Sequence, residues 1–293
     1  MLTTLDPIDA LEHDPDRQAP MPFKGADDYA RIVMAWARQS LPGSVQAHLD
    51  IAYGPHRLHR YNVFCPPGAK NAPVVLCWHG GGWTNGYRDY VTFMAANVTA
   101  MGCVMIAPSY RLAPAAPLPA AFEDALLALN HVSLNVNSLG GDGQNIYLTG
   151  HSAGAHLATL VALRTQQSTH SGLHGSAVRG CLPISGIMDL YHPTPLPGSL
   201  EERVYSMVLN NPVCDAVMSP ICWTKDNLLP FAISFGEQDS DRVQMSNRRL
   251  VELLKLQSGS VEMQVMTGQD HFQTHTSLRD PGHSWYRSLA NMF

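Results

Sequence analysis

The sequence predicts an α/β fold: a mostly parallel sheet of eight strands, flanked by helices and overlaid by a small cap. Short apolar runs, among them PVVLCW (73–78) and PFAISF (230–235), have the unbroken hydrophobicity of strands buried on both faces. They alternate with helical patterns, which implies right-handed crossovers between parallel strands. A third observation concerns the stretch 190–229, rich in Pro, Asn and Ser. It is too long for an ordinary loop and reads as an insertion over the sheet.

Taken in order, residues 27–38 (DDYARIVMAWAR) place acidic residues first and apolar ones at helical spacing. They form a short helix within an N-terminal cap element, 1–45. Residues 45–53 and 57–64 alternate apolar and polar, with Gly54-Pro55 as the turn of an antiparallel pair. The run 73–78 is the first buried strand. A helix over 89–101, a strand at 103–107 (CVMIA) and a helix over 119–134 follow. The strand NIYLT (145–149) leads into Gly-His-Ser-Ala-Gly and an Ala-rich helix, 154–166. Residues 178–184 are strand, and 190–229 holds one helical stretch near 200–209. Its apolar residues, such as Tyr191, Leu196, Leu200 and Val204, suit a pocket wall. Strand 230–235, helix 241–257, strand 261–266 and a closing helix, 282–293, complete one domain over 1–293.

Composition narrows the function classes. Charged residues are 15% of the 293, against a norm of about 25%. The formal net charge is -5, so no basic face for nucleic acid is expected. No apolar stretch approaches the roughly 18 residues of a membrane span. The first residues carry Asp6, Asp9, Glu12, Asp14 and Asp16, with no basic segment leading into an apolar one, so no secretory signal is expected. The six cysteines form no C-x-x-C pair. Buried free thiols in a reducing cytoplasm are the expectation. The fourteen histidines show no H-E-x-x-H or Cys/His ligand spacing, so no metal site is expected. A small-molecule substrate is the expected partner, and a homodimer is compatible with the composition.

Gly150-His151-Ser152-Ala153-Gly154 fits G-x-S-x-G between a strand and a helix, the setting that this motif requires. The serine must stand on a sharp turn in a sparsely allowed backbone region, so its neighbours two residues away must be small. The following helix points its N-terminal dipole at Ser152. A serine before an Ala-rich helix is also a common N-cap, which is the plainer alternative. His79-Gly80-Gly81-Gly82-Trp83 directly follows strand 73–78. Consecutive glycines let backbone N–H groups approach a developing oxyanion. The expected donors are Gly81, Gly82 and Ala153. A phosphate loop would need a P-loop lysine or G-x-G-x-x-G, and neither is present. His79 is expected to hold the loop through a backbone hydrogen bond. Trp83 suits an acyl-pocket wall and a core anchor equally. His151 is a second candidate for the pocket.

The order that accompanies such an elbow is serine, carboxylate, histidine. Strand 230–235 is followed by Gly236-Glu237-Gln238-Asp239, and Asp239 is the best-placed acid. Glu237 lies too close to the strand, and Asp241 begins or caps the next helix. The loop after strand 261–266 holds Asp270-His271-Phe272, which makes His271 the base. His275 and His283 are the weaker choices.

His79 to Trp83 together with Gly150 to Gly154 resembles the α/β-hydrolase superfamily. Tyr110-Arg111-Leu112-Ala113-Pro114, with Leu118 to Asp124, looks like hormone-sensitive-lipase-type carboxylesterases. That group usually has Asp before its nucleophile, whereas this chain has His151. Gly150 to Ala158 (GHSAGAHLA), Gly86 to Met94, Ser185 to Leu190, Asn211-Pro212, Ser219-Pro220 and Asp270 to Phe272 are similar to kynurenine formamidases (arylformamidases). The resemblance spans roughly residues 73–293. It implies a cofactor-free serine hydrolase acting through Ser152, His271 and Asp239 and an acyl-enzyme. The implied substrate is an aryl amide such as N-formylkynurenine. A short-chain carboxylesterase and a hydrolase fold kept for binding alone are the alternatives. An anionic substrate would want a cation, and Arg88, Arg111, Arg203, Lys225 and Arg242 are available.

Overall fold

Along the chain the strands are β1 (Gln46–Ala52), β2 (Arg60–Cys65), β3 (Ala72–Trp78), β4 (Val104–Pro108), β5 (Gly141–His151), β6 (Val178–Ile184), β7 (Phe231–Gly236) and β8 (Val261–Met266). They form one sheet in the order β1-β2-β4-β3-β5-β6-β7-β8. The β1–β2 and β2–β4 pairs are antiparallel. Every other pair is parallel. The computed structural model describes residues 18–167, 175–209 and 211–293. Residues 1–17 of the expected cap element, with the five acidic residues named above, lie outside the described residues.

The helices are α1 (Ala26–Ala37), α2 (Ala95–Ala100), α3 (Leu118–Asn135), α4 (Ala153–Gln167), α5 (Asp241–Leu254) and α6 (Ser284–Ala290). The central strands are buried on both faces, as parallel strands between two helical layers must be. Within β3, Val74, Leu76 and Trp78 enter a core shared with α3, α4 and α5. Val75 and Cys77 enter the opposite core, shared with α2 and α6. The period-2 pleat thus divides one apolar run between two layers. Helix α1 packs separately, with Tyr29, Val33 and Met34 against Tyr90.

Three expected elements differ in detail. Strand 57–64 begins only at Arg60, because His59 N–H closes a turn onto His56 O and the Tyr53 N–H then bonds His59 O. The helix expected over 89–101 is a 3₁₀ stretch, Arg88–Met94, that becomes α-helical at Ala95. The helical stretch near 200–209 starts with a Ser199 cap that accepts from Glu202 N–H. It continues as a π turn, Val204–Val208, closed by Leu209 N–H on Val204 O at 2.8 Å. Among the described residues, no helix is long and apolar enough to cross a membrane.

Candidate active site

Ser152 stands between β5 and α4 with φ 55°, in the left-handed region that L-residues rarely occupy. Its N–H donates to Ile184 O on β6 at 2.9 Å, which pins the turn to the sheet. The flanking glycines are sterically required. A Cβ on Gly154 would lie 2.1 Å from Trp78 O, and one on Gly150 would lie 2.5 Å from the Gly154 carbonyl carbon. The close approach of elbow to β3 therefore leaves no room for a side chain at either position.

Asp239 lies in the turn after β7, with its side chain buried. Its Oδ1 is 2.6 Å from His271 Nδ1. His271 lies in the loop after β8, and its Nε2 is 2.9 Å from Ser152 Oγ. Asp239 Oδ2 accepts from Ser185 Oγ at 2.6 Å and from Gly236 N–H at 2.8 Å. The competing carboxylates point elsewhere. Glu237 accepts from Gly268 N–H, and Asp241 opens α5 behind its Ser240 cap. His283 caps α6 through Trp285 N–H.

The glycine loop lies beside the serine. A Cβ on Gly80 would lie 3.2 Å from Ser152 Cβ. Gly81 has φ 118°, and its carbonyl accepts from the N–H groups of Thr84 and Asn85 in a tight turn. Among the described residues, no backbone acceptor takes the N–H of Gly81, Gly82 or Ala153. His79 is buried, stacks on Tyr110 at 4.3 Å, and its Nδ1 lies 2.7 Å from Gly80 O. Burial pulls its pKa down to about 4, so a neutral ring donates that bond.

A cavity of about 410 Å³ opens over Ser152, His271, Gly81 and Gly82. Its walls come from residues 18–30, from 198–201 and from Ser240, Val243 and Phe272. His151 lines it. Trp83 does not: it is buried in the main core, edge-on to His156 at 5.0 Å. Of the apolar residues of 190–229, Leu200 lines the cavity. Val204 and Leu209 join the core, while Tyr191 and Leu196 are exposed. None of the five candidate cations lines the cavity. Arg88 pairs with Asp50 at 2.7 Å, Arg111 with Asp124 at 2.6 Å and Arg242 with Glu201 at 3.1 Å. Arg203 donates to Thr84 Oγ1. Among the described lining residues the cation is Lys24, which the sequence reading passed over. Among the described residues, no group of three or more His, Cys, Asp and Glu side chains is arranged to hold a metal ion.

The sequence assigns no role to Tyr29 or Thr274, offers His275 only as a weaker base, and marks Ser185 only as part of the run Ser185 to Leu190. Tyr29 had only a helical pattern to speak for it. Ser185, at φ 51° after β6, carried no motif of its own beyond its place in Ser185-Gly186.

Known proteins resemble this chain in sequence and fold. Esterase LipQ of Mycobacterium tuberculosis is 30% identical over 203 residues, 65% of this chain and 48% of that one. The chain thus spans about half the length of that relative. A kynurenine formamidase of Danio rerio is 24% identical over 292 residues, covering 96% of this chain and 94% of the relative. A solved Pyrobaculum calidifontis esterase superposes with TM-score 0.75 at 22% identity, over 99% of this chain and 98% of the other. Residues 75–274 match the model of a family described as alpha/beta hydrolase fold. With that match running from β3 past the β8 loop, the chain belongs to the α/β-hydrolase fold family.

Proposed function

We propose that the chain is a serine hydrolase that transfers a small acyl group from an aromatic amide, of the N-formylkynurenine kind, to water. One observation carries the reaction class: Ser152 Oγ, His271 and Asp239 form one hydrogen-bonded line, 2.9 Å and then 2.6 Å. His271 Nε2 takes the Ser152 proton as Oγ attacks the carbonyl carbon. Asp239 holds Nδ1–H and stabilises the imidazolium that forms. The unclaimed N–H groups of Gly81, Gly82 and Ala153 are the donors for the oxyanion, helped by the N-terminal dipole of α4. The imidazolium returns its proton to the leaving amine. Water then attacks the acyl-enzyme through the same base, restoring the free serine.

The near full-length match to a kynurenine formamidase supports the amide reading, as does the aromatic lining of Phe23, Tyr29, Tyr90 and Phe272. Lys24 is the candidate partner for a substrate carboxylate. Residues 18–45 and 190–229 are read as the cap. A short-chain carboxylesterase is the second reading, favoured by the 30% identity with LipQ. The experiment compares kcat/KM for N-formylkynurenine, a second N-acyl arylamine and p-nitrophenyl acetate on one preparation. The amide reading expects the formyl amide to lead; an ester well ahead of both amides would establish the second reading instead. Ser152→Ala should lose several orders of magnitude in kcat and escape organophosphate labelling. A folded variant that keeps its rate would remove Ser152 from the mechanism.

A further inference from the structure

The carbonyl of His271 is held from two sides. Thr274 Oγ1 donates to it at 2.8 Å, and the buried His151 ring lies with Nε2 2.8 Å from the same oxygen. A carbonyl only accepts, so His151 Nε2 carries the proton. Burial holds His151 neutral, and its Nδ1 is therefore a bare acceptor. The donor facing it is the phenol of Tyr29, at 3.4 Å, which also lies 2.8 Å from His275 Nδ1.

The phenol has one proton to place. If Tyr29 donates to His151, then His275 Nδ1–H donates to Tyr29, and only His275 Nε2 is left over, as a bare acceptor. If Tyr29 donates to His275, two groups are orphaned: His151 Nδ1 loses its donor and, among the described residues, His275 Nε2–H has no acceptor. Buried orphan donors are the costlier defect. The bonds therefore run one way, from His275 to Tyr29, from Tyr29 to His151 and from His151 to the His271 carbonyl. Ring packing fixes the same groups. His151 and His275 stack at 4.8 Å and 5°, and Tyr29 stacks on Phe272 at 5.1 Å. The second tether is separate: Thr274 gives its hydroxyl proton to the His271 carbonyl and packs 2.8 Å from Ser185 Oγ, which gives its own proton to Asp239.

We propose that His151, oriented by Tyr29 of helix α1, is a positioning residue that fixes the backbone of His271 and so aims its ring at Ser152. This rests on the serine-hydrolase reading above. It gives the N-terminal helix a part in setting the base, beyond forming a wall.

The test compares two nearly isosteric variants on p-nitrophenyl acetate. His151→Met keeps the volume and loses the donor, while His151→Gln offers an amide N–H near the place of Nε2–H. Misplacing a reacting group by about 1 Å can cost on the order of 100-fold, so losing one of two tethers should lower kcat roughly 10-fold or more in His151→Met, with KM within about twofold. His151→Gln should restore most of that loss. Tyr29→Phe, which removes a single hydroxyl, should lower kcat several-fold, and by less than about twofold when added to His151→Met, because both act through one bond. If His151→Met does not fold, Tyr29→Phe alone carries the test through the same split of kcat from KM. Equal rates for the Met and Gln variants, a change confined to KM, or an unaltered Tyr29→Phe would overturn the proposal. Ser152→Ala, measured alongside, tests the underlying reading separately: full activity there would end that reading, and the inference with it.

Discussion

The two oxygens of Asp239 face different partners, and that division makes the acid testable. Oδ1 takes His271 Nδ1, while Oδ2 is already bound by Ser185 Oγ and Gly236 N–H. Asp239→Asn keeps the size but puts an NH₂ where one of these three donors points. The two donors at Oδ2 favour keeping the amide oxygen there, which turns the NH₂ toward His271 Nδ1 and selects the wrong imidazole tautomer. A drop of roughly 10⁴ in kcat is expected by analogy with triad acids elsewhere. Asp241→Asn should stay within a few-fold of the parent, because Asp241 only opens a helix whose cap is Ser240. Steady-state kinetics on both variants check this, and a reversed order would mean that the carboxylate has been misassigned by two positions.

The cavity floor comes from the turns that follow the strands, and its outer walls from the segment leading into α1 and from the turn at 198–201. A space of about 410 Å³ shared by acyl and leaving groups restricts their summed size. With an aromatic leaving group in place, kcat/KM should fall steeply once the acyl chain exceeds a few carbons. A series of p-nitrophenyl esters from acetate to decanoate measures this, and rates rising at eight or more carbons would contradict the size limit. These walls were only partly legible in the chain. The sheet was readable because each strand carries its own apolar run, and the elbow because its steric demand is written within five residues. Helix α1 was readable as a helix, yet not as a supplier of Tyr29, since that phenol meets partners 122 and 246 positions away. Lys24 lacks any local pattern for the same reason, and the run that contains Ser185 does not announce its bond to Asp239. Trp83 fitted a wall and the core alike, and what decides for the core is its contact with His156, far along the chain and invisible in composition.

Four histidines, His79, His151, His156 and His275, are buried with their pKa values drawn down, chiefly by burial: His79 and His156 to about 4, His275 to about 3. In the unfolded chain each would take a proton near pH 6.5. Below that pH the unfolded state gains protons that the folded state refuses, until about pH 3–4 for His79, His156 and His275. Stability must therefore fall as pH drops through this window. The thermal midpoint should be clearly lower at pH 5 than at pH 7.5, with proton uptake on unfolding visible by calorimetry in buffers of different ionisation enthalpy. A flat or rising midpoint would mean that these rings are not neutral inside. The order of the sheet has a separate consequence, for how the chain acquires its site. Ser152 leaves the central β5, but His271 follows β8, an edge strand whose partner in the sheet is β7. The bond between them spans 119 positions. Closing that span comes at a high entropic cost until the intervening strands are in place. Refolding chains should thus bury the β3 tryptophan, Trp78, before they can hydrolyse anything, and the return of activity times the docking of the last strand.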